Sequence, residues 1–241
     1  MYLNSQQINA YLGTGEKNAD GDDLRTFLEK YDPKKYDNPC NTVDTIVFTY
    51  KEMNHTRTIS KVLLIKRGNH PSIGWWALPG GFVEYREDID QAALRELKEE
   101  TGIDNIEVEQ LKSYGAYDRD PRTRIITTAY VALVPEGSIQ AAAGDDAADS
   151  GWFTITDQCM KDTVDSENRL HKELHHLVLK EESRGLITET DVEITEKLQA
   201  IFKNRSYHVV KTNLLAADHG AVILEGYHYA LQRIKEVSEV R

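Results

Sequence analysis

The pattern of apolar and polar residues changes at Thr42. Residues 1–40 are polar, with Gly, Asp, Asn and Pro scattered through them, and they predict little beyond a short helix around DDLRTFLEKY. From Thr42 onward, runs rich in β-branched residues predict strands, separated by polar loops and by turns that contain Pro and Gly. These runs are TVDTIVFTY, KVLLIKR, IEVEQLKSYGAYD and RIITTAYVALVP.

Two segments carry apolar residues at helical spacing. The first covers residues 88–101, where apolar residues recur every four positions, and Gly102 predicts its C-terminal end. The second covers residues 218–237, with Asp218 as the expected N-cap. The apolar stripe of this second helix is expected to pack on the core.

The order of these elements predicts the architecture. Strands, one well-marked helix and more strands indicate either an α+β domain or an α/β/α layered domain. After residue 172, the segments ELHHLVLKE, DVEITEKL and SYHVVK predict an antiparallel group of strands, followed by the second helix. We therefore expect an N-terminal arm over 1–41, a central domain over 42–158 and a C-terminal strand-and-helix extension over 159–241.

The charge of the chain limits the kinds of molecule that it can bind. The 241 residues include 29 Lys and Arg against 40 Asp and Glu, which gives a net charge of −11, while 40% of the residues are hydrophobic. Such an acidic chain lacks the basic patch that a nucleic-acid surface needs, so no nucleic-acid partner is expected. A phosphorylated substrate would require metal ions to screen its repulsion from the protein.

Cysteine usage and hydropathy predict the compartment. Cys40 and Cys159 lie far apart and match no metal spacing, which favours a reducing environment. The N-terminal stretch lacks the apolar segment of a signal peptide, and no apolar run is long enough to span a bilayer. We therefore expect a soluble, cytoplasmic protein without a membrane partner.

The segment RELKEETG (residues 95–102) concentrates acidic side chains on one helical face. At 3.6 residues per turn, Glu96, Glu99 and Glu100 share a stripe. The like-charged pair Glu96 and Glu100 costs the helix roughly 0.2–0.5 kcal/mol. A solvated helix face would tolerate this cost, whereas a bound cation would reverse it.

The stripe belongs to a longer pattern of fixed spacing. From Gly81, five residues lead to Glu87, seven more lead to Arg95, and then follow Glu96, Leu97, Glu99, Glu100, Gly102 and Ile103. This pattern resembles the Nudix box, G-x5-E-x7-R-E-U-x-E-E-x-G-U with U aliphatic, and every defined position matches. The box covers 23 residues, and flanking sequence similar to the family extends the resemblance over roughly 42–155.

The resemblance implies a metal site with defined ligands. Carboxylates are hard oxygen ligands that suit Mg²⁺ or Mn²⁺ bound together with substrate phosphates. Arg95 is expected to pair with Glu87 and Glu99 and so to hold the carboxylates in place. The expected metal ligands are the Gly80 carbonyl, Glu96, Glu99 and Glu100, and the expected catalytic residues are Glu99, Glu96, Arg95 and Glu87.

The family cleaves nucleoside diphosphates linked to a further moiety, X. Water attacks one phosphorus while divalent ions neutralise the phosphate oxygens. The position of the general base differs between members of the family. Candidates here are Glu96 and Glu99 in the box and, in the acidic loop EGSIQAAAGDDAADSG, Asp145, Asp146 and Asp149. An ordinary polar turn is an equal alternative for the three aspartates.

A second stretch, YDRDPRTRIITTAY (residues 117–130), narrows the expected substrate. It resembles a segment shared by ADP-ribose pyrophosphatase-like Nudix enzymes and Nudix-related transcriptional regulators, as do YDPKKYDNPCNTVDTIVF and AADHGAVILEGYHYAL. Guanidinium groups fit phosphate and ribose oxygens, and a tyrosine ring stacks on a base. The expected substrate-binding residues are Arg119, Arg122, Arg124 and Tyr117, with solvated side chains in a strand-connecting loop as the alternative.

The resemblance therefore implies a fold and a reaction. The expected fold is the Nudix α/β/α sandwich with a mixed sheet, and analogy with the ADP-ribose pyrophosphatase branch implies a homodimer. The expected reaction is ADP-ribose plus water giving AMP and ribose 5-phosphate, with Mg²⁺ or Mn²⁺ as cofactor.

Three alternative functions stay open. The related regulators join a Nudix domain, often with a damaged box, to a DNA-binding winged helix. Here the box is intact and the chain ends soon after the DHG helix, so an enzyme is preferred over an ADP-ribose-sensing repressor. The other two alternatives are hydrolysis of damaged nucleoside triphosphates and non-catalytic ligand sensing.

Two smaller motifs are given structural roles. The histidines of HKELHH, His171, His175 and His176, come without cysteines or a partnered carboxylate motif, so zinc is not expected there. At most one of Trp75 and Trp76 can face a pocket from a strand, and the other is expected in the core or at a dimer interface.

Overall fold

The structure, a computed structural model, describes residues 2–139, 147–202 and 205–239. The chain divides into two compact units, Met1–Asn38 and Pro39–Arg241. The change from polar to strand-forming sequence at Thr42 therefore lies close to the boundary between the two units.

The first unit contains short helices. They are α1 (Ser5–Ile8), a 3₁₀ turn at Asn9–Tyr11 and α2 (Leu24–Lys30). Asp23 caps α2, because its carboxylate accepts a hydrogen bond from a backbone N–H of the first turn. The helix predicted around DDLRTFLEKY is confirmed as α2.

The second unit is built on one sheet. Its strands are β1 (Cys40–Met53), β2 (Thr56–Arg67), β3 (Trp76–Ala77), β4 (Gly80–Phe82), β5 (Glu109–Tyr114), β6 (Ile125–Pro135), β7 (Ala147–Asp165), β8 (Leu170–Glu181), β9 (Leu186–Lys197) and β10 (Arg205–Asn213). The order across the sheet is β10-β9-β8-β7-β2-β1-β6-β5, with β3 paired to β2 and β4 to β1. Strands β1 and β6 run parallel while β1 and β2 run antiparallel, so the sheet is mixed, as expected.

Different helices cover the two faces of the sheet. These are α3 (Ile89–Thr101) and α4 (His219–Glu239). Successive residues of a strand point to opposite faces. On β1, Val47 packs in a cluster with Leu97 of α3, whereas Ile46 packs in the cluster that contains the apolar residues of α4. This arrangement is the α/β/α sandwich that the sequence predicted.

Helix α3 begins one residue later than predicted and ends at the predicted residue. Asp88 occupies the N-cap position. Gly102 ends the helix in the left-handed conformation, with φ of 71°, and its N–H donates to the carbonyl of Lys98. A residue with a Cβ would be strained there, which is why glycine marks the end of the helix.

Helix α4 begins directly after Asp218. The backbone carbonyl of Asp218 accepts hydrogen bonds from the N–H groups of Ala221 and Val222, as expected of the residue at the N-cap position. Its carboxylate, however, binds Arg119. The same residue therefore starts the helix and holds a side chain that belongs to another loop.

The predicted C-terminal strands extend the central sheet. Strand β7 pairs with β2 along its first part and with β8 along its second, and β8, β9 and β10 follow as antiparallel neighbours. Strand β7 thus runs without interruption past residue 158, and the position of a domain boundary there stays a prediction. Among the described residues, no helix is both long enough and apolar enough to cross a bilayer.

Candidate active site

Arg95 holds three glutamates of the box together. Its Nη1 donates to Glu96 Oε1 at 2.8 Å and to Glu99 Oε2 at 3.0 Å. Its Nε and Nη2 donate to the two carboxylate oxygens of Glu87 at 2.8 and 2.9 Å, and Nη2 also donates to the carbonyl oxygen of Phe82. The predicted pairing with Glu87 and Glu99 is confirmed, and Glu96 is a third partner.

Two glycines allow strand β4 to approach the glutamates. A Cβ at Gly81 would lie 2.5 Å from the carboxylate of Glu96, so a larger residue would displace that side chain. A Cβ at Gly80 would collide with the carbonyl oxygen of Val43. The N–H of Gly80 donates to Glu100 Oε2 at 2.7 Å. The role expected for the Gly80 carbonyl as a metal ligand stays a prediction.

The carboxylates differ in how readily they ionise. Hydrogen bonds from Arg95 lower the pKa of Glu87. Burial raises the pKa of Glu96, although Arg95 opposes this shift. Burial raises the pKa of Glu100 to about 8, and the charges of Glu96 and Asp44 act in the same direction. A divalent cation favours the ionised form of buried carboxylates such as Glu96 and Glu100, and so offsets the cost of burying their charge. These residues therefore fit Mg²⁺ or Mn²⁺.

A cavity of about 310 Å³ opens beside this cluster. Glu100, the box glycine Gly81 and the preceding Gly80 contribute to its lining, whereas Glu96 and Glu99 do not. The charged groups that line it are of both signs: Asp44, Glu100, Asp120, Arg67, Arg119 and Arg122. The cavity therefore offers carboxylates for a metal ion and guanidinium groups for an anionic ligand.

Arg119 is fixed in the cavity by an ion pair. Its side chain is 7% exposed, and Nε and Nη2 each donate to a carboxylate oxygen of Asp218 at 3.0 Å. Nη2 also lies 3.9 Å from Asp44 Oδ2, which accepts a hydrogen bond from Thr127 Oγ1 at 2.7 Å. Asp218 thus positions one of the expected substrate-binding residues from the start of α4.

The other expected substrate-binding residues differ in their location. Arg122 lines the cavity, where its guanidinium pairs with Asp120 and lies 5.3 Å from the centroid of the Phe82 ring. Arg124 donates to a backbone carbonyl of its own loop, and Tyr117 is 80% exposed. Neither of these two lines the cavity. The structure therefore brings Arg119 and Arg122 to the site and leaves the other two outside it.

Several polar residues of the cavity were missed by the sequence analysis. Among them are Asp44, Arg67 and His219. Asp44 carried a signal, because it is an acidic residue inside the apolar run TVDTIVFTY. His219 accepts a hydrogen bond at Nδ1 from the N–H of Leu78, which lies 141 positions away, so its Nε2 carries the proton. No local pattern indicates a contact of that separation.

Of the three aspartates proposed as alternative general bases, only Asp149 lies among the described residues. Asp145 and Asp146 lie outside the described residues. Asp149 lies on β7, opposite Lys66 of β2, and not in the acidic loop expected there. Its carboxylate accepts a hydrogen bond from Arg184 Nη1 at 2.5 Å, and it does not line the cavity.

Trp75 and Trp76 lie in different environments, as expected. Trp76 is buried on β3, where its ring packs edge-on against Phe153 with centroids 4.8 Å apart. The core role expected for one of the two is therefore confirmed. Trp75 is half-buried, and neither tryptophan lines the cavity.

An α/β/α sandwich whose glycine loop and helix gather carboxylates beside a charged cavity defines a pyrophosphate-hydrolysing site of the Nudix type. The family model for the NUDIX domain matches residues 41–174, which is more than half of the chain. The chain belongs to the Nudix family.

Individual relatives resemble different parts of the chain. The ADP-ribose pyrophosphatase of Methanocaldococcus jannaschii is 38% identical over 134 residues, covering 54% of this chain and 73% of that enzyme. The ADPR responsive transcriptional repressor NtrR of Acinetobacter baylyi is 36% identical over 139 residues, covering 57% of this chain and only 53% of the repressor. A crystal structure of a MutT/nudix family protein from Enterococcus faecalis matches with a TM-score of 0.61 and 29% identity, covering 96% of this chain and 76% of that chain.

Proposed function

We propose that this Nudix protein hydrolyses ADP-ribose to AMP and ribose 5-phosphate. One water molecule adds to a phosphorus of the pyrophosphate, and the bridging P–O bond breaks. The observation that carries the proposal is the arrangement of the box carboxylates. Arg95 holds Glu87, Glu96 and Glu99 together, and Glu100 lines a cavity that also presents arginines. The similarity to the Methanocaldococcus jannaschii ADP-ribose pyrophosphatase supports the choice of substrate.

The proposed metal ligands are Glu96, Glu99, Glu100 and the Gly80 carbonyl. When bound, Mg²⁺ or Mn²⁺ would neutralise phosphate oxygens and stabilise the leaving phosphate. Arg95 acts as a positioning residue, because four donor contacts hold neighbouring carboxylates in one arrangement and a fifth binds the carbonyl oxygen of Phe82. Glu87 positions Arg95 in turn through a bidentate pair.

Glu99 is the better supported of the two box candidates for the general base. Its side chain is 57% exposed, so water reaches the carboxylate, whereas the Glu96 side chain is mostly buried beside Gly81. A general base must lie within hydrogen-bond reach of the attacking water, either directly or through one further water.

The arginines of the cavity suit the anionic part of the substrate. Arg122 and Arg67 line it together with Arg119, and guanidinium groups bind phosphate oxygens in a bidentate manner. Because Arg119 already binds Asp218, its orientation is fixed before the substrate enters. The roles expected for Arg124 and Tyr117, which lie outside the cavity, stay predictions, as does the homodimer.

A substrate panel tests the proposed reaction. The protein is incubated with Mg²⁺ and, separately, with ADP-ribose, NADH, a sugar nucleotide and an oxidised nucleoside triphosphate, and the products are resolved by chromatography. We expect kcat/KM to be at least about tenfold higher for ADP-ribose than for the others, which is 1.4 kcal/mol of transition-state discrimination. The products should be AMP and ribose 5-phosphate. A highest value for the triphosphate would support nucleotide-pool cleaning instead.

Regulation of transcription is the second candidate, because the NtrR repressor is 36% identical over 139 residues. The net charge of −11 opposes DNA binding, since phosphate contacts supply most non-specific affinity. The DNA for a gel-shift assay is the promoter region next to the gene for this protein. At moderate salt, with and without ADP-ribose, we expect no retarded band. A sequence-specific band that ADP-ribose removes would favour the repressor function.

A further inference from the structure

Outside the cavity, two histidines and an aspartate meet between the C-terminal strands and the last helix. Asp157 lies on β7, His175 on β8 and His228 on α4. His175 Nδ1 lies 2.7 Å from Asp157 Oδ1, and His228 Nε2 lies 3.0 Å from Asp157 Oδ2. One possible ligand atom from each residue lies within 4.8 Å of the others. Three separate elements of the fold are therefore needed to assemble this cluster.

Hydrogen bonding to Asp157 leaves part of His175 unsatisfied. With Nδ1 donating to Asp157, Nε2 has no hydrogen-bond partner among the described residues, although the side chain is only 10% exposed. Glu173 Oε2 lies 3.9 Å from this nitrogen. A neutral Nε2 would present its lone pair towards a carboxylate oxygen, which is an unfavourable arrangement for two acceptors in a buried site.

A bound cation removes this conflict. If the ion is held by His175 Nδ1, His228 Nε2 and Asp157, each histidine carries its proton on the other nitrogen. The N–H of His175 then points towards Glu173, and that of His228 can donate to the hydroxyl oxygen of Tyr207, 3.1 Å away. From this geometry we infer that Asp157, His175 and His228 bind a divalent transition-metal ion of the zinc class.

The donor set distinguishes this cluster from the glutamate site. Two imidazoles and one carboxylate are the ligands of zinc sites that keep a fourth position for water, whereas Mg²⁺ prefers oxygen ligands alone. Zinc–ligand bonds of about 2.0–2.2 Å place neighbouring ligand atoms roughly 3.4 Å apart. The two observed separations, 2.7 and 3.0 Å, are about 0.7 and 0.4 Å shorter than this, and they must lengthen by that much to admit the ion.

This site differs from the histidine group visible in the sequence. His175 and His176 are successive residues of β8, so they point to opposite faces, and His176 Nδ1 binds Asp191 at 2.7 Å. Zinc was not expected from HKELHH because that segment has no partnered carboxylate. The fold supplies the missing ligands, Asp157 and His228, from distant parts of the chain.

The ion would tie α4 to β7 and β8. The same helix starts at His219, which lines the cavity, and Asp218 immediately before it holds Arg119. We therefore expect the ion to stabilise the fold and to hold α4 in place, and hydrolysis itself does not require it.

Zinc titration of the full chain tests the inference. Protein stripped with a chelator is titrated with Zn²⁺ in millimolar Mg²⁺, in competition with a chromophoric chelator. The wild-type chain should bind one Zn²⁺ tightly, and its Tm should rise by about 5 °C or more. His228→Gln should weaken zinc binding by about 100-fold and abolish the rise in Tm. Glutamine keeps an N–H that can donate to Asp157, so the metal-free variant is expected to fold.

His176→Gln is the matched control, because His176 lies on the same strand as His175 but points to the opposite face and binds Asp191. This variant should bind zinc as the wild type does. X-ray absorption at the zinc edge of the wild-type chain gives a second readout that needs no variant, and it should show two imidazole ligands. Absence of tight zinc binding, equal affinity in His228→Gln, loss in His176→Gln or a zinc shell without imidazole would each overturn the inference.

Discussion

Replacing Glu99 with Gln is expected to lower kcat for ADP-ribose by about 10³-fold while leaving the fold intact. An amide neither accepts a proton from water nor offers a charged metal ligand, so the variant loses both roles proposed for Glu99. The structural loss is small, since the i,i+4 ion pair of Glu99 with Arg95 is surface-exposed and contributes only about 0.3–0.5 kcal/mol. Initial rates at saturating Mg²⁺ and thermal denaturation measure the two effects separately.

Glu107→Gln provides the matched control for this experiment. Glu107 is an exposed glutamate that follows α3 and does not line the cavity. Its variant should keep the wild-type rate. A rate within tenfold of wild type for Glu99→Gln would remove Glu99 from the mechanism, and an equal loss in both variants would indicate a cause other than the proposed chemistry.

The box and its helix could be predicted from the sequence because their contacts are local. Arg95 meets Glu99 one helical turn later, and Glu87 lies just before the helix that carries Arg95. Spacing along the chain therefore determines which of these side chains can meet. The glycine at 102 and the apolar period of α3 are local signals of the same kind.

The remainder of the site depends on contacts between distant segments. Asp218 reaches Arg119 across 99 positions, and His219 reaches Leu78 across 141. Both contacts require α4 to lie over the sheet next to β3, which no local pattern specifies. The same limit applies to the cluster of Asp157, His175 and His228, because the pairing of β7 with β8 and the packing of α4 bring these residues together.

Replacing Glu100 with Gln is expected to have opposite effects on activity and stability. Glu100 is a proposed metal ligand, so its loss should reduce hydrolysis at limiting Mg²⁺ by about 10²-fold. The metal-free variant, however, should be more stable than metal-free wild type at pH 8, by about 2 kcal/mol. The reason is that the wild-type fold buries this carboxyl, which raises its pKa from 4.5 to about 8.

The direction of the pH dependence follows from this shift. Between pH 4.5 and about 8 the carboxyl is ionised in the unfolded chain but keeps its proton in the folded one. Raising the pH through this window therefore favours the unfolded state, by up to about 1.4 kcal/mol per pH unit before relaxation of the site is allowed for. Below the window both states are protonated, so the difference between variant and wild type should vanish near pH 4.

Denaturation in urea at pH 4, 6 and 8, in the presence of a chelator, measures this difference. Other titrating groups, including Glu87 with its lowered pKa, are common to both proteins and cancel in the comparison. Added Mg²⁺ should stabilise the wild-type chain at pH 8 more than the variant, because the ion binds the ionised carboxylate and reverses the cost of burying it. A variant that is equally stable at pH 8, or one that gains as much from Mg²⁺ as wild type, would mean that Glu100 does not face the cation.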